Sequence, residues 1–271
     1  MSPIVHHPTS FSLGPLELTG FGLAVLAAFA ISQIICQREL WRRGQIAVAE
    51  AIPDIVMAAL IGTLIGAKSY YVVLTGDPGA FLSRGGFVFW GGFMGAVALC
   101  WAVIKYTKLD FLRIADVAGI AIAAGYAVGR TGCWAVGDDY GRPWNGLLAT
   151  QFPEGAPPST VGVMSSMFGV QFPEGSDPAS VVAVHPTQLY ETVMGFGMFV
   201  VLWALRKHPH KAGWLFGLYL IVAGIERFIV EFFRAKDDRF FGPLTAAQVI
   251  AIVLAVLGTG VMAARRQTTA R

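Results

Sequence analysis

Charge is scarce in this chain. Asp, Glu, Lys and Arg make up 14% of its 271 residues, against 55% hydrophobic residues. So few charges cannot solvate a soluble domain, and a mean hydropathy of +0.60, with the apolar residues in long blocks, argues for a polytopic membrane protein. Cysteine is nearly missing too. Cys36, Cys100 and Cys133 lie far apart, which excludes a disulfide framework or a cysteine-rich metal motif. The first 15 residues carry no Lys or Arg and no cleavage-site pattern, so no removable signal peptide is expected. Paired inverted repeats and matching broken helices are also absent, which ranks a small-molecule transporter last.

What is present is seven apolar stretches of about 20 residues, enough for each to cross a hydrocarbon core as a helix. They lie near 16–36, 52–74, 86–105, 115–136, 187–205, 212–233 and 244–264. The expected fold is an all-α membrane protein of seven transmembrane helices, a single polytopic domain over 1–271. With the N-terminus outside, the inner segments hold twelve Lys and Arg, among them Arg38, Arg42, Arg43, Lys105 and Arg271. The outer segments hold five, Arg84, Arg142, Arg234, Lys236 and Arg239, while Lys68, Arg130 and Arg227 fall within spans. The positive-inside rule therefore predicts N-out, C-in. The connection 137–186, rich in Pro, Gly and Ser, is then an extracytoplasmic loop insertion with room for a small module. It repeats Gln151-Phe-Pro-Glu-Gly155 as Gln171-Phe-Pro-Glu-Gly175. Two copies, either two similar turns or a local duplication, are too few for a solenoid, and the reading is a decorated surface loop.

Arg130 and Arg227 stand in apolar stretches, where an arginine costs roughly 2.5–3.5 kcal/mol and so faces a polar cavity or a partner. Arg227, Glu231 and Arg234 at i, i+4 and i+7 share one helix face, with Glu226 about 100° away. An internal Arg–Glu pair that solvates only itself is one account. A single Glu231, however, cannot neutralise two arginines, and a guanidinium fork matches phosphate oxygens bidentately. The two arginines thus call for an anion, and in a membrane the commonest is a phospholipid phosphate. Gly129, Gly132, Gly137 and Gly141 let backbone amides approach a ligand, or else let helices pack closely. Asp138 and Asp139 at the outer end of that span are solvated interface charges or members of the site. Cys133 is a thiol beside Arg130, hence a nucleophile or a small apolar filler. In His185-Pro186-Thr187-Gln188-Leu189-Tyr190-Glu191, proline marks a helix start, and His185 is then a cap or a surface residue. Gln188 and Glu191 share a face that enters the membrane. Asp54 and Asp116 near inner span ends are read as structural, and Lys68 as snorkelling or facing a cavity.

These motifs together resemble the bacterial prolipoprotein diacylglyceryl transferases. The run Gly129-Arg130-x-Gly132…Gly141 is similar to that family's signature, and the His185–Glu191, Arg227–Arg234 and Leu244–Gln248 segments follow in family order. The resemblance implies a multi-pass enzyme of the bacterial cytoplasmic (inner) membrane with an external N-terminus. Its implied reaction moves a diacylglyceryl group from phosphatidylglycerol to the lipobox cysteine of a preprolipoprotein, recognised at its signal peptide, and releases glycerol phosphate. Arg130 and Arg227 are implied to hold the phosphate, with Glu231 orienting Arg227, so these three are the expected catalytic residues. Arg130, Gly132, Gly141, His185, Gln188, Glu191 and Arg234 are the expected binding residues, with Cys133, Asp138 and Asp139 as further candidates. No metal, cofactor or nucleic-acid partner is expected.

Four positions depart from the family pattern, one of them Gly137, which stands for a second asparagine in the signature run. In the other three, Trp90 stands for a histidine, Phe21 for a tyrosine and Cys133 for the first asparagine. If that histidine supplies the base that a largely protonated thiol needs, this chain draws its base from His185, Glu191, Asp138 or Asp139. Two further readings follow: a divergent paralogue with another acceptor, and a phospholipid-binding membrane protein without turnover.

Overall fold

The computed structural model describes residues 2–13, 16–83, 86–235 and 239–267. Arg84, Lys236 and Arg271, used above to orient the chain, lie outside the described residues. In chain order the elements are β1 (Ile4–Val5), β2 (Ser10–Leu13), β3 (Leu16–Thr19), α1 (Gly20–Arg42), α2 (Ile46–Glu50), α3 (Ile52–Thr75), α4 (Phe89–Tyr106), α5 (Phe111–Val136), β4 (Thr150–Gln151), α6 (Val161–Phe168), α7 (Thr187–Leu205), α8 (Trp214–Val230), β5 (Arg239–Phe241), β6 (Leu244–Thr245) and α9 (Ala246–Arg265). The protein is mostly helical. Six stretches are long and apolar enough to cross a membrane: α1, Ile46–Thr75, α4, α5, α7 and α9. Helix α8 has 17 residues, or about 26 Å at 1.5 Å per residue.

The all-α expectation needs two corrections at span ends. Residues 16–19, included in the first span, form β3 and pair antiparallel with β2, Ser10 opposite Thr19. Leu16-Glu17-Leu18-Thr19 alternates with period two, a strand pattern that hydropathy averaging hides. Leu244 and Thr245 are likewise a strand, and α9 starts behind them with a capping box. Gln248 N–H donates to Thr245 Oγ1 at 3.2 Å and Thr245 N–H to Gln248 Oε1 at 3.1 Å. The family-like Leu244–Gln248 segment is therefore a helix start.

The chain divides into two units, 32–118 and 1–31 with 119–271. In the first, α3 and α4 pack through Gly62 and Gly66 on one helix and Gly91 and Gly95 on the other. A Cβ at any of the four would overlap the facing backbone or side chain, as in small-xxx-small membrane contacts. Lys68 on α3 does not snorkel outward. It is buried, donates to the Ser83 carbonyl at 2.6 Å and lies 4.5 Å from the Phe87 ring centroid. Trp90 on α4 is half-exposed and meets Phe89 and Phe93. Asp54 is exposed in the first turn of α3, where a negative charge suits the helix dipole; Asp116 is buried.

In the second unit the first turns of α1 pack on the end of α5. A Cβ at Gly132 would meet Ala24 Cβ at 2.7 Å and Phe21 Cα at 3.1 Å. Helix α9 lies against α8 where Gly217, Gly224 and Gly258 admit close backbone approach. Residues 137–186 are more than a loop with two turns. Phe152 and Met164, both fully buried, join Tyr140, Val184 and Ala235 in an apolar core of their own, with Trp134 and Phe168 against it. The two Gln-Phe-Pro-Glu-Gly copies differ accordingly: Phe152 is fully buried, whereas Phe172 is only partly so. Strand β1 pairs parallel with β4, Ile4 opposite Thr150.

Candidate active site

Helix α5 continues through Arg130, Gly132 and Cys133 and stops at Val136. The Gly-rich run is therefore regular helix over most of its length, and Gly132 serves helix packing instead of presenting its amide to a ligand. Gly137, at φ 69°, ends the helix in the left-handed region, and its N–H and that of Asp138 both return to the Cys133 carbonyl, at 3.0 and 3.1 Å. This sharp stop turns Asp138 and Asp139 back toward Arg130. Helix α7 staples the turn from the other side. Thr187 Oγ1 donates to the Asp139 carbonyl at 2.6 Å, and the fully buried Gln188 donates to the Asp138 carbonyl.

Arg234 is not on one helix face with Arg227 and Glu231, as their spacing implies. Helix α8 ends at Val230 with Glu231 as its C-cap, and the turn beyond carries Arg234 to Gly141, with which it forms an isolated bridge. The reason is Gly141, a junction of three chain segments. Its N–H donates to the His185 carbonyl at 2.8 Å, and Arg142 N–H to the Phe233 carbonyl at 2.8 Å. A Cβ there would overlap the Phe233 carbonyl oxygen and approach His185 Cβ at 2.8 Å. Gly141, expected among the ligand contacts, thus has no amide proton free for a ligand.

The outcome is a cluster of three arginines and five carboxyl groups. One Arg130 nitrogen bonds Glu191 directly; another lies 2.9 Å from Asp139 Oδ2 and 3.4 Å from Cys133 Sγ. Arg227 pairs with Glu231 at 2.6 Å and reaches Glu191 Oε1 at 4.0 Å. Arg234 pairs with Asp139 at 3.0 Å and also lies 4.0 Å from Glu191 Oε1. The cation excess expected from two arginines against Glu231 alone is therefore not there, because Glu191 and Asp139 arrive from other elements. What remains for a ligand is uneven. Arg227 is the most open, its side chain 33% exposed against 12% for Arg130 and 19% for Arg234. Arg130 Nε is buried and makes no hydrogen bond among the described residues. Cys133 Sγ and the Asp138 and Asp139 oxygens lie within 4.8 Å of one another, but the Arg130 guanidinium already occupies that corner as its cation.

The four candidate bases separate clearly. Glu191 is held by Arg130. Asp139 keeps part of its side chain in the open and is paired with two arginines; partial desolvation opposes its charge, but Arg234 and Arg130 outweigh this and hold its carboxyl below the usual range. His185 stands outside the cluster, stacked on Trp144 at 4.3 Å between ring centroids and 3.2 Å from the Tyr190 hydroxyl, and burial lowers its pKa. Asp138 differs. Burial first, and then the adjacent Asp139, push it up to about 6, and its Oδ1 is buried without a hydrogen-bond partner among the described residues.

Two members escape a reading of the sequence. Tyr126 stands one helical turn before Arg130, and its hydroxyl meets both Glu191 and Glu226. Glu226, expected to point away from the Arg227 face, is 5% exposed and part of the cluster. The i, i+4 relation of Tyr126 to Arg130 was the available signal; for Glu226 there was none.

The chain thus combines six stretches long and apolar enough to cross a membrane with a partly open arginine cluster at the ends of α5 and α8. A family model described as prolipoprotein diacylglyceryl transferase matches residues 8–264, and the chain belongs to that family. The phosphatidylglycerol–prolipoprotein diacylglyceryl transferase of Cronobacter sakazakii is 29% identical over 269 residues, covering 94% of this chain and 91% of the relative. The protein of that name from Lysinibacillus sphaericus is 28% identical over 267 residues, covering 96% and 92%. That from Geobacter sulfurreducens is 29% identical over 279 residues, covering 96% of each.

Proposed function

We propose that this protein transfers the diacylglyceryl group of phosphatidylglycerol to the lipobox cysteine of a preprolipoprotein, recognised with its signal peptide, in the bacterial cytoplasmic membrane. The observation that carries the reading is the pairing of Arg130, Arg227 and Arg234 with exchangeable carboxylates inside a chain of this family. A phosphodiester entering beside the open Arg227 competes with Glu231 and Glu191 for guanidinium donors and gains Arg130 Nε as a further one. Seven spans, N-out and C-in, put this cluster near the outer surface, with 137–186 outside as its cover. Helix α8 is the short seventh span, and the basic residues of the inner loops support the orientation.

In the transfer, the sulfur attacks the glycerol carbon, the S–C bond forms as the C–O bond to phosphate breaks, and the electron pair stays on the phosphate oxygen. The arginines face the charge that grows there. Asp138 takes the thiol proton. With a pKa of about 6 it lies closer to a thiol, at about 8.5, than an ordinary aspartate does. Glu231 orients Arg227, and Gln188 holds the Asp138 turn. His185 supports the Gly141 junction.

The test is a reconstituted assay with phosphatidylglycerol and a lipobox peptide. Wild-type protein is expected to transfer the lipid group, while Arg130→Ala and Arg227→Ala are expected to be inactive. Lack of transfer by the wild type from any anionic phospholipid would overturn the reading. Lipid retained through purification in an Arg130-dependent way, without turnover, would favour a binding protein instead.

A further inference from the structure

The contact between Tyr126, Glu191 and Glu226 does not close with ordinary ionisation. The Tyr126 hydroxyl oxygen lies 3.1 Å from Glu191 Oε1 and 3.0 Å from Glu226 Oε1. A phenol has one proton and donates one hydrogen bond. If both carboxylates were ionised, one contact would set a lone pair against an anionic oxygen in a buried site. All three groups are satisfied only if one carboxyl carries a proton and donates it to the Tyr126 oxygen, while Tyr126 donates to the other.

Surroundings decide which carboxyl that is. Glu191 touches Arg130 and has Arg227 and Arg234 at 4.0 Å. Glu226 makes no ion pair among the described residues. Its neighbour Arg227 is turned to Glu231, Arg130 is taken by Glu191 and Asp139, and Tyr219 on α8 itself is the other titratable group that senses it. Helix α9, packed along α8, has no charged side chain before Arg265. On its remaining side Glu226 borders an open apolar groove of about 210 Å³ between α7 and α8, lined by Met194, Met198, Val201, Val222 and Ile225. An ionised carboxylate facing such a wall without a cation is strongly disfavoured.

We propose that Glu226 is a neutral carboxylic acid whose proton, held through Tyr126, spares the arginine cluster a further negative charge and so leaves it able to take a phospholipid phosphate. Glu226 is then a positioning residue: it acts through Tyr126 on Glu191, and through Glu191 on Arg130. The role in phosphate binding rests on the transferase reading; the proton itself does not. Glu191, Glu231 and Asp139 already match the three arginines in charge, Asp138 adds a further carboxylate once ionised, and an ionised Glu226 would add yet another negative charge where an anion must bind. The consequence is a loss of affinity for anionic phospholipid at alkaline pH.

Infrared spectroscopy of the purified full-length protein, with and without D₂O exchange, reads the proton directly. The carbonyl stretch of a protonated carboxylic acid is expected in the wild type at neutral pH, absent in Glu226→Gln and shifted in Tyr126→Phe. In parallel, the affinity for phosphatidylglycerol in detergent micelles is measured from neutral to alkaline pH. The wild type is expected to weaken by about tenfold, as a new like charge beside the clamp demands. Glu226→Gln, whose amide can still donate to Tyr126, is expected to bind as the wild type does at neutral pH and to stay level. A band unchanged in Glu226→Gln would overturn the proposal. So would a parallel loss of affinity in wild type and variant. Should Glu226→Gln not fold, an unshifted band in Tyr126→Phe would overturn it equally. Failure of lipid transfer to a lipobox peptide, with band and affinity as expected, would count against the transferase reading and leave the proton assignment standing.

Discussion

Lys68 and Arg130 are both cations buried among apolar helices, and they are satisfied in opposite ways. Lys68 gives its ammonium to the Ser83 carbonyl and the Phe87 ring, neutral partners fixed by the chain that connects α3 to α4. Arg130 gives its guanidinium to Glu191 and Asp139, carboxylates that Arg227 and Arg234 also claim. Ser83 and Phe87 meet the lysine as neutral groups that belong to one short connection. The arginine's partners are of the same chemical kind as a phosphate and can be exchanged for one. A buried cation alone therefore does not mark a site; competition for its counter-charge does.

The contrast breaks most visibly when each cation is removed. Arg130→Ala or Arg227→Ala should lower lipid transfer by about 10²–10³-fold or more, the usual cost of losing a donor to developing charge, as read by label incorporated into a lipobox peptide. Lys68→Met should leave kcat of the folded protein unchanged. It should instead destabilise by about 1–3 kcal/mol, since the Ser83 carbonyl loses a buried donor, and a thermal-shift series in detergent checks this.

Acidity sharpens the comparison next. Asp138 must be ionised to accept the thiol proton, and its carboxyl is raised to about 6. kcat/KM is therefore expected to rise about tenfold per pH unit up to about pH 6 and then level off. Asp138→Asn should be slower by about 10²-fold and lose this acid limb. A retained limb in that variant would move the base elsewhere. The same raised pKa has a smaller consequence for folding. Between the unfolded value of 3.8 and about 6 the folded state binds more protons than the unfolded one, so Asp138 makes stability fall as pH rises through that window.

The smallest effect is expected at Cys133. Its Sγ sits against Arg130 at 3.4 Å in a wall where it is only 6% exposed. Cys133→Ser should keep transfer within about threefold, a change of the size of one modest hydrogen bond. Complete loss would instead make this thiol a nucleophile.

The helices were legible because their cause is local. An apolar block of about 20 residues has few alternatives to a buried helix, and the long helices lie close to the apolar stretches. The exceptions are short and physical. Leu16–Thr19 alternates as a strand inside an apolar average, and Thr245 with Gln248 closes a capping box ahead of α9. Within the site, Arg130, Arg227 and Glu231 were legible as charges in the wrong solvent. Helical spacing misplaced Arg234, because the Gly141 junction ends α8 early. It also set Glu226 aside, because a rotation of about 100° leads away from a partner only when the partners lie on one side.

By itself, the sequence determined that this chain is a membrane-embedded bundle of helices with two arginines that must be neutralised. Both follow from transfer free energies that act residue by residue. Only the tertiary structure decided how they are neutralised. Glu191 comes from α7, Asp139 from the turn after α5 and Arg234 from the turn after α8, far apart in the chain and joined by contacts that no periodicity encodes. Charge balance in a buried site is a property of the assembled cluster, since each ionisation depends on all the others, and it is there that the proton on Glu226 enters.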